Sequence, residues 1–224
     1  MEGFLDRLFS SLSSNYDRVS KALSFGFDSV WRAQIEKEIA DMKNARVLDV
    51  ATGTGSVAID IARKHKDFKV TGIDFNKEML GVAREKSVGL KNIRYVEADA
   101  ESLSLADGSF DAVVSAFSLG NFNDAGKAIE EMHRVLSKGG RLVLLDMSKR
   151  RSAIAKKLAG MYYYARLAPA LNSMVRKEVE EYIHSSYFEV DANNIISFLK
   201  AKGFSIIRIK KLGFGAAFII TAVK

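Results

Sequence analysis

Apolar positions in residues 4–41 recur three and four apart, which predicts helix, interrupted near Ser24-Phe25-Gly26. The pattern then changes to short apolar runs alternating with helix-period segments. Strands are expected at 46–50, 68–73, 93–97, 110–117 and 141–146, with helices at 57–64, 77–86 and 125–136 between them. The unbroken apolar run of the fourth strand marks it as buried on both faces. Ser137-Lys138-Gly139-Gly140 reads as the C-cap of the third of these helices. Strands alternating with helices imply an α/β fold with a doubly wound parallel sheet. Residues 149–188 break the alternation, being helical with three consecutive tyrosines, Tyr162 to Tyr164. A helix over 191–202 ends at Gly203. Strands at 205–212 and 216–223, joined by Gly213-Phe214-Gly215, then form an antiparallel hairpin.

The 224 residues suit one domain, 1–224, with a helical N-terminal segment (1–41) and a helical lid (149–190) inserted before the last helix and hairpin. The absence of cysteine excludes disulfides, thiolate metal sites, iron–sulfur clusters and a cysteine nucleophile. His65, His133 and His184 show no ligand spacing, so no metal is expected. No basic flank precedes an apolar run at the N-terminus, and the longest largely apolar run, 216–223, is far short of a bilayer span. A cytoplasmic location is expected. The net charge of +7 is concentrated: Lys149, Arg150, Arg151, Lys156, Lys157, Arg166, Arg176 and Lys177 stand in a stretch without an acid. Such a block implies an anionic partner (nucleic acid, a phospholipid surface or an acidic substrate) or else a solvated helix face.

The first strand runs into Asp49-Val50-Ala51-Thr52-Gly53-Thr54-Gly55, a small-residue turn opening a helix. Asp74 follows nineteen residues after Gly55, where a carboxylate can accept the hydroxyls of a ribose. Asp99-Ala100 ends the third strand, placed for an adenine edge. Gly53-x-Gly55-x-x-Ala58 also satisfies a loose dinucleotide fingerprint. Three features favour S-adenosyl-L-methionine: Asp49, which would repel a pyrophosphate but suits an ammonium; the third polar turn at Asp99; and the terminal hairpin. No Tyr-x-x-x-Lys occurs, which weighs against a short-chain reductase.

The chain resembles the menaquinone/ubiquinone C-methyltransferase family. The resemblance starts at Phe9-Ser10-Ser11-Leu12-Ser13-Ser14-Asn15-Tyr16-Asp17 and continues through Leu23-Ser24-Phe25-Gly26, Trp31-Arg32 and Gly72-Ile73-Asp74. It extends through Glu78-Met79-Leu80, Phe117-Ser118-Leu119-Gly120-Asn121 and Arg134-Val135-Leu136 to 201–204. It implies a Rossmann-like class I S-adenosyl-L-methionine-dependent methyltransferase, with a seven-stranded, mostly parallel sheet. The reaction implied is C-methylation of a polyprenyl quinol ring, demethylmenaquinol to menaquinol. Position by position, family cofactor contacts fall on Thr54, Asp74, Asp99 and Ala100. A family Ser after the fourth strand is Ala116 here, with Ser115 beside it. The full expected cofactor set is Asp49, Ala51, Gly53, Thr54, Gly55, Asp74, Phe75, Met79, Asp99, Ala100, Ser115, Ala116 and Phe117. Tyr16 and Asn121 are expected at the reacting ring. The family's Arg before that Asn is Gly120 here, and His184 in the lid is the candidate base.

Ile154, Leu158, Met161 and Ala165 form an apolar stripe flanked by lysines and arginines, so residues 149–177 are expected on an anionic membrane surface, on its inner face. A homodimer is a possible assembly. Alternative readings are methylation of another apolar small molecule, cofactor binding without catalysis, and a basic nucleic-acid-binding or nucleic-acid-modifying protein. Nucleic acid is disfavoured: the only proline is Pro169, so no Asn/Asp-Pro-Pro-Tyr motif exists, and no cysteine can attack a pyrimidine.

Overall fold

The computed structural model describes residues 2–24, 26–149, 161, 164–165, 168–170, 176–177, 179–181 and 190–224. Helices α1 (Glu2–Leu12), α2 (Tyr16–Leu23) and α3 (Asp28–Ile39) precede the alternating region. There β1 (Arg46–Val50), α4 (Ser56–Lys64), β2 (Lys69–Asp74), α5 (Lys77–Lys86) and β3 (Ile93–Glu97) are followed by β4 (Phe110–Ala116), α6 (Ala125–Val135) and β5 (Leu136–Met147). The chain closes with α7 (Ala192–Ala201), β6 (Ser205–Leu212) and β7 (Ala217–Val223). Side-chain caps set three helix starts: Asn76 accepts from Met79 N, Asp124 from Lys127 N and Asp191 from Asn193 N.

The strands form one sheet in the order β3-β2-β1-β4-β5-β7-β6, parallel from β3 to β5 and antiparallel in its last two pairings. The chain first moves outward from β1 to β3 and then crosses to β4 on the other side of β1. Such a reversal leaves a crevice at the carboxyl ends of β1 and β4, where open α/β sheets bind ligands. Both faces of the sheet are covered, as the period-two pattern requires. Val47 packs with Ile35, Ile39 and Ile61 of α3 and α4, while its neighbour Leu48 packs with Ile129, Met132 and Leu199 of α6 and α7.

Two boundaries differ from the sequence reading. Helix α6 ends at Val135, and Leu136 is already extended (φ −74°, ψ 132°) as the first residue of β5. Ser137 to Gly140 are therefore not a helix cap. They form an irregularity in the β4–β5 pairing, where Phe110 faces Leu136 but Ala112 faces Arg141, with Gly139 at φ +76°. Glycine at positive φ serves either device, and the pattern alone does not separate them. Strand β4 stops one residue short because Phe117 turns to φ +58°. The expected lid lies largely outside the described residues; within it Ala168–Ala170 form a single 3₁₀ turn. Among the described residues, no helix is long and apolar enough to cross a membrane.

Candidate cofactor and acceptor site

The turn after β1 is stitched to the end of β2. Thr52 N donates to Ile73 O (2.8 Å), and Gly53 N donates to Asp74 Oδ2 (2.8 Å). The other oxygen, Asp74 Oδ1, accepts from Asn76 N (3.0 Å). Burial raises the Asp74 carboxyl above its ordinary value. Ala98 N donates to Asp74 O (3.0 Å), which carries the same edge on to Asp99 and Ala100.

These turns floor a cavity of about 430 Å³. Ala51, Gly53, Asp74, Phe75, Met79, Asp99 and Ala100 form one wall. Ala116, Phe117, Ser118 and Asn121 form the opposite wall, and Asp6, Phe9 and Tyr16 of the N-terminal helices close over it. Ala51 (φ +54°) and Phe117 (φ +58°), the residues following β1 and β4, are both left-handed. Such strain in non-glycine residues concentrates at functional sites and costs about 1–3 kcal/mol each.

Four residues expected against the cofactor do not lie on this wall. Asp49 is 1% exposed beneath the turn, where Oδ2 accepts from Thr52 Oγ1 (2.5 Å) and Ala58 N (3.1 Å). Burial pushes its carboxyl up to about 7, and its hydrogen bonds to Thr52 and Ala58 brace the turn against α4. Thr54 faces α2: its hydroxyl donates to Asp17 Oδ1 (2.7 Å), and Lys86 Nζ donates to Asp17 Oδ2 (2.7 Å) and to Thr54 Oγ1 (3.1 Å). Gly55 (φ +78°) faces inward too; a Cβ there would sit 2.6 Å from the Tyr95 hydroxyl and 2.9 Å from Ala83 Cβ. Ser115 donates to Val50 O (2.6 Å) and pairs with Ser118 Oγ (2.5 Å), which places Ser118, not Ser115, on the wall. Residues in a tight turn alternate abruptly between ligand and interior, and spacing alone does not say which way each points.

Tyr16 and Asn121 line the same cavity although they are 105 residues apart. Tyr16 meets Phe9 edge-on (6.1 Å between centroids), and burial raises its phenol further above 10, so it is a neutral hydrogen-bond donor near pH 7. Asn121 ends the 3₁₀ turn Leu119–Asn121; its N–H donates to Ser118 O (2.8 Å) and its amide to Phe117 O (3.3 Å). His184 lies outside the described residues. His65 bonds Glu36 (2.8 Å) and His133 meets Phe204 edge-on, far from chemistry in both cases.

A smaller cavity of about 80 Å³ adjoins the first, sharing Phe9, Tyr16 and Phe117. It is mainly apolar, with Leu8, Leu12, Val19 and Met147, and Asp28 and Asp146 reach its wall. Asp146 Oδ2 accepts from Leu119 N (3.0 Å) and Oδ1 from Met147 N (2.7 Å), which fixes the turn carrying Asn121; burial pushes this carboxyl up to about 7. Arg32 pairs with Asp28 (3.2 Å), donates to Ser20 Oγ (2.9 Å) and lies 5.7 Å from the Phe117 ring centroid. Sequence reasoning missed Asp6, Ser118 and Asp146. Asp146 carries the same mark as Asp74, an acid at the carboxyl end of a central strand.

The larger cavity suits S-adenosyl-L-methionine. Asp6, Asp74, Asp99 and Glu101 line it, and among the described residues its wall includes no lysine, arginine or histidine. That charge attracts a sulfonium and an ammonium and repels a pyrophosphate. Phe75, Met79 and Ala100 offer an apolar slot for a flat base. A Cβ added at Gly53 would meet nothing within 4 Å, so the backbone is open to a ligand there.

The fold is that of S-adenosyl-L-methionine-dependent methyltransferases, and the switch-point turn and acidic cavity suit that cofactor. The solved structure of a methyltransferase from Thermotoga maritima, titled a possible histamine N-methyltransferase, superposes with a TM-score of 0.70 at 19% identity, covering 97% of this chain and 99% of its own. A second, from Methanococcus maripaludis, gives 0.66 at 22% identity over 96% and 93%. At those identities the likeness concerns the fold alone. The family follows from sequence: the model of the ubiE/COQ5 methyltransferase family matches residues 2–224, and the chain belongs to that family. It is 36% identical over 217 residues to the demethylmenaquinone methyltransferase of Thermus thermophilus (95% of this chain, 97% of the relative). It is 33% identical over 226 residues to the ubiquinone/menaquinone biosynthesis C-methyltransferase UbiE of Geotalea daltonii (98% and 96%).

Proposed function

We propose that the protein methylates a ring carbon of a polyprenyl quinol, converting demethylmenaquinol to menaquinol. The observation that carries this reading is the meeting of Tyr16 and Asn121 on the wall of the cavity that Asp74 floors, beside a second, apolar chamber. The names of the relatives support the choice of ring.

S-adenosyl-L-methionine supplies a methyl group already activated on a sulfonium. Asp74 would hold the ribose hydroxyls and Asp99 the adenine edge, while α1 and α2 shield the site from water. An aromatic carbon becomes a competent nucleophile when the neighbouring hydroxyl gives up its proton, a step worth about 10²–10⁴-fold when a base is positioned. Tyr16, being neutral, donates to the acceptor's oxygen and orients it; Asn121 supplies a second polar contact. Asp146, which reaches the wall of the adjoining chamber that shares Tyr16, takes this proton in our reading, and the ring C–H proton leaves once the methyl group has been transferred. The basic segment 149–177 contributes contact with the inner membrane face that holds the substrate.

The test is turnover of a short-tailed demethylmenaquinol with methyl-deuterated cofactor, followed by mass spectrometry and NMR. Label on the ring carbon is expected. Label on oxygen, or methylation of other apolar molecules without this quinol, rejects the assignment.

A further inference from the structure

The tip of the C-terminal hairpin places a phenylalanine where the fold gains nothing from it. Phe214 is fully exposed and left-handed (φ +55°, ψ 30°) between Gly213 and Gly215. A strained, unpacked aromatic destabilises the folded state with no return from the interior. It is not isolated. Gly213 lies on Trp31, since a Cβ there would sit 2.7 Å from the indole, and Phe27 stacks on the same indole at 6.0 Å and 18°. Phe27 and Val30 are 52% and 55% exposed, so Phe27, Val30 and Phe214 form an apolar crown around Trp31.

Its position in the sheet matters. Ala217 pairs with Met147, so the hairpin tip lies beyond the carboxyl end of β5, on the edge where the cofactor cavity opens. Trp31 also meets Phe117, which lines both cavities, at 6.4 Å between centroids. Around the crown stand exposed lysines. Lys21 approaches Gly26 next to Phe27, Lys149 follows Ser148, whose N–H donates to Ala216 O (2.9 Å), and Lys211 leads into the tip. None of the three has a carboxylate partner among the described residues. Lys210 bonds Gln34, one turn beyond Val30 (3.0 Å). Among the described residues the acid on this rim is Asp191, whose side chain caps α7 through Asn193 N.

We propose that Phe27, Val30 and Phe214, ringed by Lys21, Lys149 and Lys211, form a docking surface for an anionic phospholipid bilayer. Aromatic side chains settle at the headgroup level, and each lysine near an anionic surface adds attraction. Three side chains are far too few for a second copy, which needs roughly 800 Å² per partner. The surface turns the open edge of the sheet to the lipid. Its use rests on the quinol reading, because a polyprenyl acceptor resides in the bilayer.

The experiment measures partitioning of the full chain onto phosphatidylglycerol/phosphatidylcholine vesicles, without quinol. Phe214→Asn suits the left-handed backbone, and Phe27→Ser trims a half-exposed ring at the start of α3, so both variants should fold. The emission of Trp31, the single tryptophan, reports that fold in buffer. Each variant is expected to weaken partitioning roughly tenfold. Each of Lys21→Gln, Lys149→Gln and Lys211→Gln should weaken it about fivefold at low salt, with the difference shrinking as salt rises. Brominated lipid should quench Trp31 in the parent and much less in Phe214→Asn. Turnover of a short-tailed, water-soluble quinol should stay at the parental rate in every variant. Unchanged partitioning in Phe214→Asn overturns the proposal, as does a parent that ignores vesicles. So does a dimer that Phe214→Asn dissociates with no effect on lipid binding. Parental turnover of the short-tailed quinol, read in the same preparation, judges the quinol reading separately.

Discussion

The two walls of the cavity are built by different means. The cofactor wall is made by strand ends, where carboxylates are held by backbone N–H groups of their own or the adjacent strand-end turn: Asp74 by Asn76 and by Gly53 after β1, and Asp99 by Glu101. The acceptor wall is assembled from segments far apart in the chain. Tyr16 reaches it on a helix latched to the rest by Asp17 to Thr54 and Lys86, with Asn76 bonded to Asp6 and Ser10 of α1. Asn121 reaches it through a turn pinned by Asp146. A wall made by the sheet is as rigid as the sheet, while a wall made by side-chain latches can be released one latch at a time.

The largest expected effect concerns the brace beneath the cofactor wall. Asp49 has its folded pKa raised to about 7 from 3.8, so the fold binds this proton more tightly than the unfolded chain does. Its contribution to stability is full below the unfolded value and is lost as pH rises toward about 7, an effect on the order of 4 kcal/mol. In Asp49→Asn a single amide oxygen can accept from both Thr52 and Ala58, as Oδ2 does. Thermal or urea unfolding from about pH 4 to 7 should therefore show a steep fall in the parent and a flatter profile in the variant. The same variant should hold S-adenosylhomocysteine nearly as well as the parent, and a large loss would return Asp49 to the ligand-contacting set.

Asp74→Ala comes next. Removing a charge-assisted acceptor from the wall should weaken S-adenosylhomocysteine by about 1.5–3 kcal/mol in calorimetry. Unchanged affinity in a folded variant would dissolve the distinction between the two walls.

The smallest effect lies across the cavity. Tyr16→Phe and Asn121→Ala should lower turnover by roughly tenfold to a hundredfold, about 1.4–2.7 kcal/mol, with cofactor affinity intact. Parallel losses of cofactor affinity would mean that both residues belong to the cofactor wall.

The same contrast explains what could be read from sequence. Helix α5 and strand β3 appear at the residues the pattern predicts, because caps and apolar runs are local. Gly53, Asp74, Asp99 and Ala100 reach the cavity because strand ends in this topology all arrive at one edge. Asp49, Thr54, Gly55 and Ser115 sit in the expected turns but face inward, and only the packed neighbours Ala58, Asp17, Tyr95 and Val50 decide that. Tyr16 and Asn121 came from the family resemblance and not from any spacing. Asp146 escaped notice because β5 carries no glycine turn to draw attention to its end.

Tyr95 lies against both Gly55 and Gly72; a Cβ on Gly72 would come within 2.8 Å of its ring, just as one on Gly55 would strike its hydroxyl. Three positions on three different elements therefore share one volume. Neither glycine can take a side chain while the tyrosine keeps its place, so substitutions at these three positions are coupled and not independent. Part of what looks like a nucleotide fingerprint in this chain is thus also demanded by packing: Gly55 by a tyrosine forty residues downstream, by Ala83 and by its own positive φ, whether or not a cofactor is bound.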